Sequence, residues 1–382
     1  HLYTIENCYI YSQLIIQIKL KIMKKNLYNS RREIEISDFK NILKNIKNNS
    51  KIANKTIMIT GFNGFLGQYI VKFLVFYSKE LKWKKLILVD NTKVEMIKDY
   101  KQLKSNKKIA VISQSIVELD FKNKIFSNVD FIMHMASIAS PHYYRKFPLK
   151  TIEANVDGLK NILKNYKDKK VNLLYFSSSE IYGDPPKDKI PTSEDFNGNV
   201  SCIGPRSCYD EAKRFCETIC YYYSSIYKIN IKIVRPFNNY GPGLDINDKR
   251  LPADLANSIL KNKNIEIFSN GKPTRAYCYI SDAVTGYFLA LIYPNFEIFN
   301  VGNDEEEISV KNLTVKYAKI ARKILNYKGE ILYKKSKDLE YLTNNPNRRC
   351  PNISKAKKKL NFNPIINLDE GIAKYLQYNY FK

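Results

Sequence analysis

The run Thr60-Gly61-Phe62-Asn63-Gly64-Phe65-Leu66-Gly67 constrains the fold most, because it joins a short apolar run to an amphipathic stretch. Glycines at a strand-to-helix turn let backbone N–H groups approach a pyrophosphate closely. The helix that follows adds its partial positive charge and unpaired donors to the same anion. The spacing is G-x-x-G-x-x-G, longer at its first step than the commonest dinucleotide fingerprint. A second element supports it: Asp90 ends the next apolar run, 23 residues beyond Gly67. A carboxylate there can accept both ribose hydroxyls and would repel a 2′-phosphate, which favours NAD over NADP.

From Lys55 onward, short apolar runs alternate with helix-length segments. The runs are Thr56–Thr60, Lys85–Val89, Lys108–Ile112, Phe131–Met135, Leu173–Ser177 and Ile231–Val234, spaced by stretches such as Leu66–Tyr77 and Thr151–Tyr166. This alternation predicts an α/β fold, a Rossmann-type doubly wound parallel sheet with helices on both faces. After Arg235 the chain becomes richer in loop residues, then offers helices at Leu251–Lys261, Ser281–Ile292 and Val310–Leu325, read as a smaller C-terminal substrate-binding lobe. The expected organisation is an N-terminal extension (1–54), an NAD-binding domain (55–235) and a part that is mainly the sugar-nucleotide lobe (236–382). Ile34, Ile36, Phe39, Ile42, Leu43 and Ile46 recur at partly helical spacing and predict a leading helix packed on the main domain.

Composition narrows the function classes. The chain carries 63 Lys+Arg against 37 Asp+Glu, a formal +26, which by sign alone fits nucleic acid, an anionic membrane or small anionic ligands. The lysines are scattered along the whole sequence, which argues against a nucleic-acid stripe. Seven cysteines (Cys8, Cys202, Cys208, Cys216, Cys220, Cys278, Cys350) form no C-x-x-C pair, and the histidines are His1, His134 and His142. That pattern points away from a zinc site and toward a reducing compartment, with the cytoplasm as the expectation. The stretch Tyr9–Ile22 is apolar but broken by Ser12, Gln13, Gln17, Lys19 and Lys21, too short and polar to span a bilayer. Met23 is a candidate start, which would leave the first 22 residues as upstream read-through.

The chemistry-bearing pattern is Ser207-Cys208-Tyr209-Asp210-Glu211-Ala212-Lys213. Tyr209 and Lys213 stand one helical turn apart, and an ammonium beside a phenol favours the phenolate, as a general base requires. In a chain with 29 tyrosines the pair needs a third group. The run Leu174 to Phe176 supplies it by leading into Ser177, Ser178, Ser179 and Glu180 at a strand's carboxyl end, where open α/β sheets bind ligands.

With these motifs the sequence resembles the extended short-chain dehydrogenases/reductases, the NAD-dependent epimerase/dehydratase family, and within it the UDP-glucuronate decarboxylases. The resemblance runs from about Lys55 to Leu360. It is carried by His134 to Pro141 (HMASIASP), Ser179 to Pro185 (SEIYGDP), Ile203 to Glu211 (IGPRSCYDE), Arg235 to Pro242 (RPFNNYGP), Pro273 to Tyr277 (PTRAY) and Arg349 to Ile353 (RCPNI).

The resemblance implies an enzyme that oxidises C4 of the sugar, loses carbon dioxide from the resulting β-keto acid and is reduced again, so that NAD is recycled. Tyr209 with Lys213 would take the C4 proton, Ser179 would hold the C4 oxygen, and Glu180 and Arg349 would guide decarboxylation and reprotonation. Cofactor contacts are implied for Gly61, Asn63, Gly64, Phe65, Leu66, Gly67, Asp90, Asn91, Ala136, Tyr209 and Lys213. Substrate contacts are implied for Ser140, Glu180, Asn238, Arg250, Arg275, Tyr277 and Arg349, and a homodimer through the Tyr209 helix by Phe215, Ile219, Tyr222 and Tyr223. The 4,6-dehydratases of the family carry Asp-Glu where this chain has Ser179-Glu180, and simple 4-epimerases usually lack that carboxylate. Both remain alternatives, as does, more remotely, a binding protein without catalysis. The chain departs from the pattern at Ser115, where an Asp is usual near the adenine, and at Cys350, where a Lys is usual.

Overall fold

A computed structural model describes residues 28–46, 49–334 and 345–381. The readings of Tyr9–Ile22, Met23 and Cys8 lie outside these residues. Seven strands form one parallel sheet: β1 (Thr56–Thr60), β2 (Lys85–Asp90), β3 (Ile109–Ser113), β4 (Phe131–His134), β5 (Asn172–Phe176), β6 (Asn230–Pro236) and β7 (Glu297–Val301). Their order is β7-β6-β5-β4-β1-β2-β3, all pairs parallel. The six apolar runs of the sequence are six of these strands, each end within two residues of its expected place. β7 lies beyond residue 235 yet pairs with β6 throughout, from Glu297 opposite Lys232 to Val301 opposite Pro236.

Alternate residues of each strand serve the two faces, as a period of two requires. Ile57, Ile59, Leu86 and Leu88 belong to one buried cluster, with Phe73, Leu74, Val284 and Phe288. Met58, Ile87 and Val89 belong to the other, with Leu159, Ile162, Cys216 and Cys220. The helices follow: α1 (Arg31–Asn45), α2 (Phe65–Phe76), α3 (Pro148–Tyr166), α4 (Ser207–Tyr227), α5 (Leu251–Leu260), α6 (Ile280–Leu291), α7 (Val310–Leu325) and α8 (Leu368–Tyr380). α3 and α4 cover one face side by side, while α1, α2 and α6 cover the other.

The leading helix is shorter than the charged segment suggested, and it holds a buried charge. Ser30 caps it by accepting the Glu33 N–H. Ile34, Phe39 and Ile42 point inward with Asp38, which is fully buried. Asp38 accepts from Tyr69 at 2.9 Å, Tyr279 at 2.7 Å and Lys374 at 3.0 Å. One carboxylate thus ties α1 to α2, to Tyr279 at the N-cap of α6, and to α8.

The strand order reverses between β1 and β4, so the loops leaving their carboxyl ends diverge and open a crevice. Its lining includes α5, the first residue of α7 and a small three-stranded sheet in which Thr274–Ala276 lies between Glu307–Ser309 and Arg348–Arg349. No helix among the described residues is long and apolar enough to cross a membrane.

Candidate active site

A cleft of about 1910 Å³ runs from the glycine turn across the sheet's carboxyl edge into the lobe. At its cofactor end, Gly61 follows β1 with φ of +73°, and a Cβ there would lie 2.7 Å from the Ala136 nitrogen. A Cβ on Gly67 would meet the Gly61 oxygen and the Phe62 Cα, both at 2.5 Å. Gly64 is different: its nearest neighbour is 3.4 Å away, and it stands at the N-cap of α2 without a side-chain cap. The first-turn N–H groups of α2 are therefore left for an anion.

Asp90 receives the Asn63 N–H at 3.0 Å and the Thr92 N–H at 3.0 Å, so its carboxylate is oriented at the end of β2. Tight glycines, an uncapped helix start and an oriented carboxylate fit a dinucleotide. Phe65, Leu66, Asn91, Ala136 and Ser115 line the same end.

The reacting end is built on α4. Tyr209 is buried and its ring stacks on Tyr144, with centroids 5.1 Å apart and planes within 10°. Lys213 donates to the Phe176 carbonyl at 2.7 Å and sits 5.7 Å from the Tyr209 ring centroid. Burial lowers the Lys213 amine to about 8. Burial also dominates at Tyr209 and raises its phenol above the ordinary range. A Ser178 hydrogen bond and Arg250 pull it down, while Glu180 and Asp210 push it up. The lowering expected from a nearby ammonium is outweighed here by burial, although Lys213 does lie against the Tyr209 ring. Ser178 is the hydroxyl on the phenol, and Ser179, the residue read from the sequence, lies beside it in the turn Ser179–Tyr182 and lines the cleft.

Glu180 is gripped by two guanidinium groups. Arg349 binds both its oxygens, Nη2 donating to Oε2 at 2.7 Å, and Arg206 donates to Oε2 as well. Burial would raise the Glu180 carboxyl, but Arg206 and then Arg349 outweigh it and hold it at about 2. Arg206 also faces Asp210, Nε to Oδ2 at 3.5 Å. Burial, then the Glu180 charge, raises Asp210 to about 7. Arg275 stands near enough to feel Arg349, and burial lowers it to about 10.

The remaining residues of the substrate reading divide. Asn238 (donating to Ala276 O at 2.9 Å), Arg250 (ion-paired with Asp248), Arg275 and Tyr277 line the cleft. Ser140 is not among the lining residues; its hydroxyl donates to the Asp248 carbonyl at 3.1 Å. Arg275 bonds the Thr274 and Pro346 carbonyls at 2.8 and 2.7 Å, which anchors the Arg349 strand beside it. Sequence reasoning assigned no role to Tyr144, Arg206 or Asp210, and placed Ser178 at the ligand-facing strand end without tying it to Tyr209. Arg206 and Asp210 lie inside the string around Tyr209, and that adjacency was the available signal. His134, buried and lowered to about 3 by burial and Lys213, pairs with Thr60 at 2.7 Å and is a structural residue.

An uncapped glycine turn at a sheet crossover, a Tyr-Lys pair and an arginine-held carboxylate define a dinucleotide-dependent enzyme of the short-chain dehydrogenase type. The chain belongs to the NAD dependent epimerase/dehydratase family, which it matches over residues 57–302. It is 33% identical over 330 residues to UDP-glucuronic acid decarboxylase 1 of Xenopus tropicalis, covering 86% of this chain and 73% of that protein. It is 34% identical over 326 residues to UDP-glucuronic acid decarboxylase 6 of Arabidopsis thaliana, covering 85% and 89%. Among solved structures it resembles the UDP-glucose 4-epimerase of Thermotoga maritima, with 26% identity, a TM-score of 0.72 and coverage of 85% and 98%. It shares the fold of the Bacillus cereus UDP-glucuronic acid 4-epimerase in complex with UDP-glucuronic acid and NAD, with 24% identity, a TM-score of 0.69 and the same coverage. The family resemblance read from the sequence strings is borne out.

Proposed function

We propose that this chain decarboxylates UDP-glucuronate to UDP-xylose through a 4-keto sugar, with NAD recycled within each turnover. The carrying observation is Glu180, fixed as an anion by Arg349 and Arg206 at the same edge of the cleft as Tyr209. The likeness to curated UDP-glucuronic acid decarboxylases supports the same reading.

When bound, NAD supplies a hydride acceptor at C4 that later returns the hydride. The protein does the rest. Tyr209, with Ser178 on its oxygen, takes the C4 hydroxyl proton once it is ionised; burial opposes that ionisation and the Lys213 ammonium against its ring favours it. The C4 ketone then lies β to the carboxylate on C5. Carbon dioxide leaves as the bonding electrons move into an enolate, which Ser179 and Tyr209 stabilise by hydrogen bonds to the C4 oxygen. Glu180 raises the energy of a second carboxylate placed against it and so favours the neutral product. Arg349, which donates to both oxygens of Glu180, would place a cation beside C5 as the enolate takes up a proton from water there, and Tyr209 returns its proton to the C4 oxygen as the hydride comes back. Arg250 and Arg275 suit the diphosphate, since guanidinium groups pair bidentately with phosphate oxygens.

The helix pair α3 and α4 supports a homodimer, because Ile152 (40% exposed), Phe215 (55%) and Tyr222 (56%) lie open on it. Ile219 and Tyr223, expected in the same surface, pack partly against the core instead. The six cysteines of the described residues are all free thiols, which supports the cytoplasm.

Incubation of the purified protein with UDP-glucuronate, followed by mass spectrometry, tests the reading. The expected product is lighter by one carbon dioxide. A product of unchanged mass inverted at C4 would make the chain an epimerase, and loss of water from a dTDP- or UDP-hexose a dehydratase.

A further inference from the structure

We propose that Arg206 is a positioning residue of the decarboxylation step, acting through Glu180 to keep its carboxylate aimed into the cleft, with Asp210 as the counter-charge behind it. The inference rests on the decarboxylase reading above.

Arg206 stands at the N-cap of α4, where its own side chain makes no capping bond. The guanidinium reaches Glu180 on one side and Asp210 on the other, and its carbon lies 5.9 Å from the Tyr144 ring centroid. Tyr144 in turn stacks on Tyr209. A single buried cation thus touches the carboxylate assigned to carbon dioxide loss and the ring that backs the phenol assigned to proton removal. Arg349 alone could neutralise Glu180. What Arg206 adds is a second hold: Arg349 binds both oxygens in one fork, and Arg206, from a different part of the chain, donates to Oε2 as well, so the carboxylate is kept in place against sliding along the Arg349 fork.

The charged and titratable groups around Glu180 come from several packed elements. They are Arg206 before α4, Asp210 and Tyr209 on α4, Tyr144 on the short helix Pro141–Lys146, Arg275 on Thr274–Ala276 and Arg349 on Arg348–Arg349. Removing Arg206 takes one cation of three and leaves Arg349 to offset both Glu180 and Asp210, which the Glu180 charge already raises. Glu180 would then gain a proton at higher pH than the value of about 2 that it has here, and the field that favours carbon dioxide release would fall away over that range. The C4 oxidation, which depends on Tyr209 and Lys213, does not require Glu180 to be charged.

A double-mutant cycle tests this, with Arg206→Gln, Glu180→Gln and the double variant assayed for carbon dioxide release, and NADH read at 340 nm. Arg206→Gln is expected to slow carbon dioxide release about 100-fold, the order set by a buried hydrogen bond between charged groups. NADH should accumulate as the keto sugar forms faster than it decarboxylates, and the acid limb of the pH profile should move toward neutrality. In the Glu180→Gln background the same change should cost less than about twofold. Arg206→Lys should recover part of the rate. Equal losses in both backgrounds, or an unmoved acid limb, would overturn the proposal, since a merely structural Arg206 gives that pattern. Should Arg206→Gln fail to fold, Arg206→Lys with Glu180→Gln completes the cycle. If the wild type releases no carbon dioxide, the decarboxylase reading has failed; the cycle is then read in the Kd for UDP-glucuronate, where additivity still overturns the coupling.

Discussion

Arg349 Nη2 donates to Glu180 Oε2 at 2.7 Å, joining residues 169 apart in the chain at one buried point. The pair links the turn after β5 to the short strand Arg348–Arg349, so the two parts of the catalytic apparatus are held in register by charge. Arg349→Gln is expected to lower kcat about 100-fold, because a charge-assisted bond is lost and a buried carboxylate loses its bidentate partner. NAD affinity should stay within about twofold, the glycine turn being untouched. Kinetics with a parallel NAD titration check both; an equal loss of NAD affinity would mean that the cleft itself had collapsed.

The glycine turn makes a graded prediction. A Cβ at Gly67 would press on the Gly61 oxygen and Phe62 Cα, and one at Gly61 on the Ala136 backbone at a positive φ, so neither atom can move cheaply. Gly61→Ala and Gly67→Ala should each weaken NAD binding by more than about 100-fold and lower Tm. Gly64→Ala meets only ordinary contact at 3.4 Å. That variant should fold with near wild-type Tm and lose affinity only through crowding of the pyrophosphate. Calorimetric NAD titration of all three separates the cases.

Local spacing made much of this site legible. The glycine turn, Asp90 at the end of β2 and the Tyr209–Lys213 turn are short-range patterns, and each lies where its spacing put it. The strand β7 was not singled out, because Glu297-Ile298-Phe299-Asn300-Val301 is an edge strand whose first two residues are only partly buried, so its pattern is neither a continuous apolar run nor a clean alternation. The contacts of Arg206 with Glu180 and of Tyr144 with Tyr209 join residues from separate loops and helices, and no periodicity encodes them. Ser140 was carried over from a string, and the fold turned its hydroxyl to Asp248. Phe215 and Tyr222 could be told from Ile219 and Tyr223 only once the face of α4 was known.

Asp38 was also hidden, since the apolar stripe of α1 identifies the buried face but not a charge within it. Its partner Lys374 lies 336 residues away and is itself buried. Asp38→Ala would leave that ammonium with only the half-exposed Glu370, 3.0 Å away, and Tyr69 and Tyr279 without their acceptor. The expected cost is about 3–5 kcal/mol, the range for breaking one side of a buried ion pair. Asp38→Leu combined with Lys374→Met should recover most of it, because no unpaired charge is left buried and the Glu370 that loses its partner is half exposed. Denaturant unfolding of the variants checks this; a double variant as weak as Asp38→Ala would show that the stabilisation resides in the tyrosine bonds.

The Lys213 amine gives the last prediction, on the alkaline side. Burial brings it from the usual 10.5 to about 8, so the ammonium is present below pH 8 and is lost as pH rises through that value. Activity needs the cation to favour the Tyr209 phenolate, and burial keeps the phenol itself from titrating in this range. kcat should therefore fall above about pH 8, where unassisted phenol ionisation would make it rise. Stability should move the other way: between about 8 and 10.5 the unfolded chain binds the proton that the folded chain has released, so this group's destabilisation is relieved as pH increases. Lys213→Arg keeps a cation throughout and should flatten the alkaline limb, at reduced kcat because the longer planar group cannot reproduce the 2.7 Å bond to Phe176 O. Rate and unfolding profiles from pH 6 to 10 test both signs, and an alkaline limb unchanged in Lys213→Arg would assign the titration to another group.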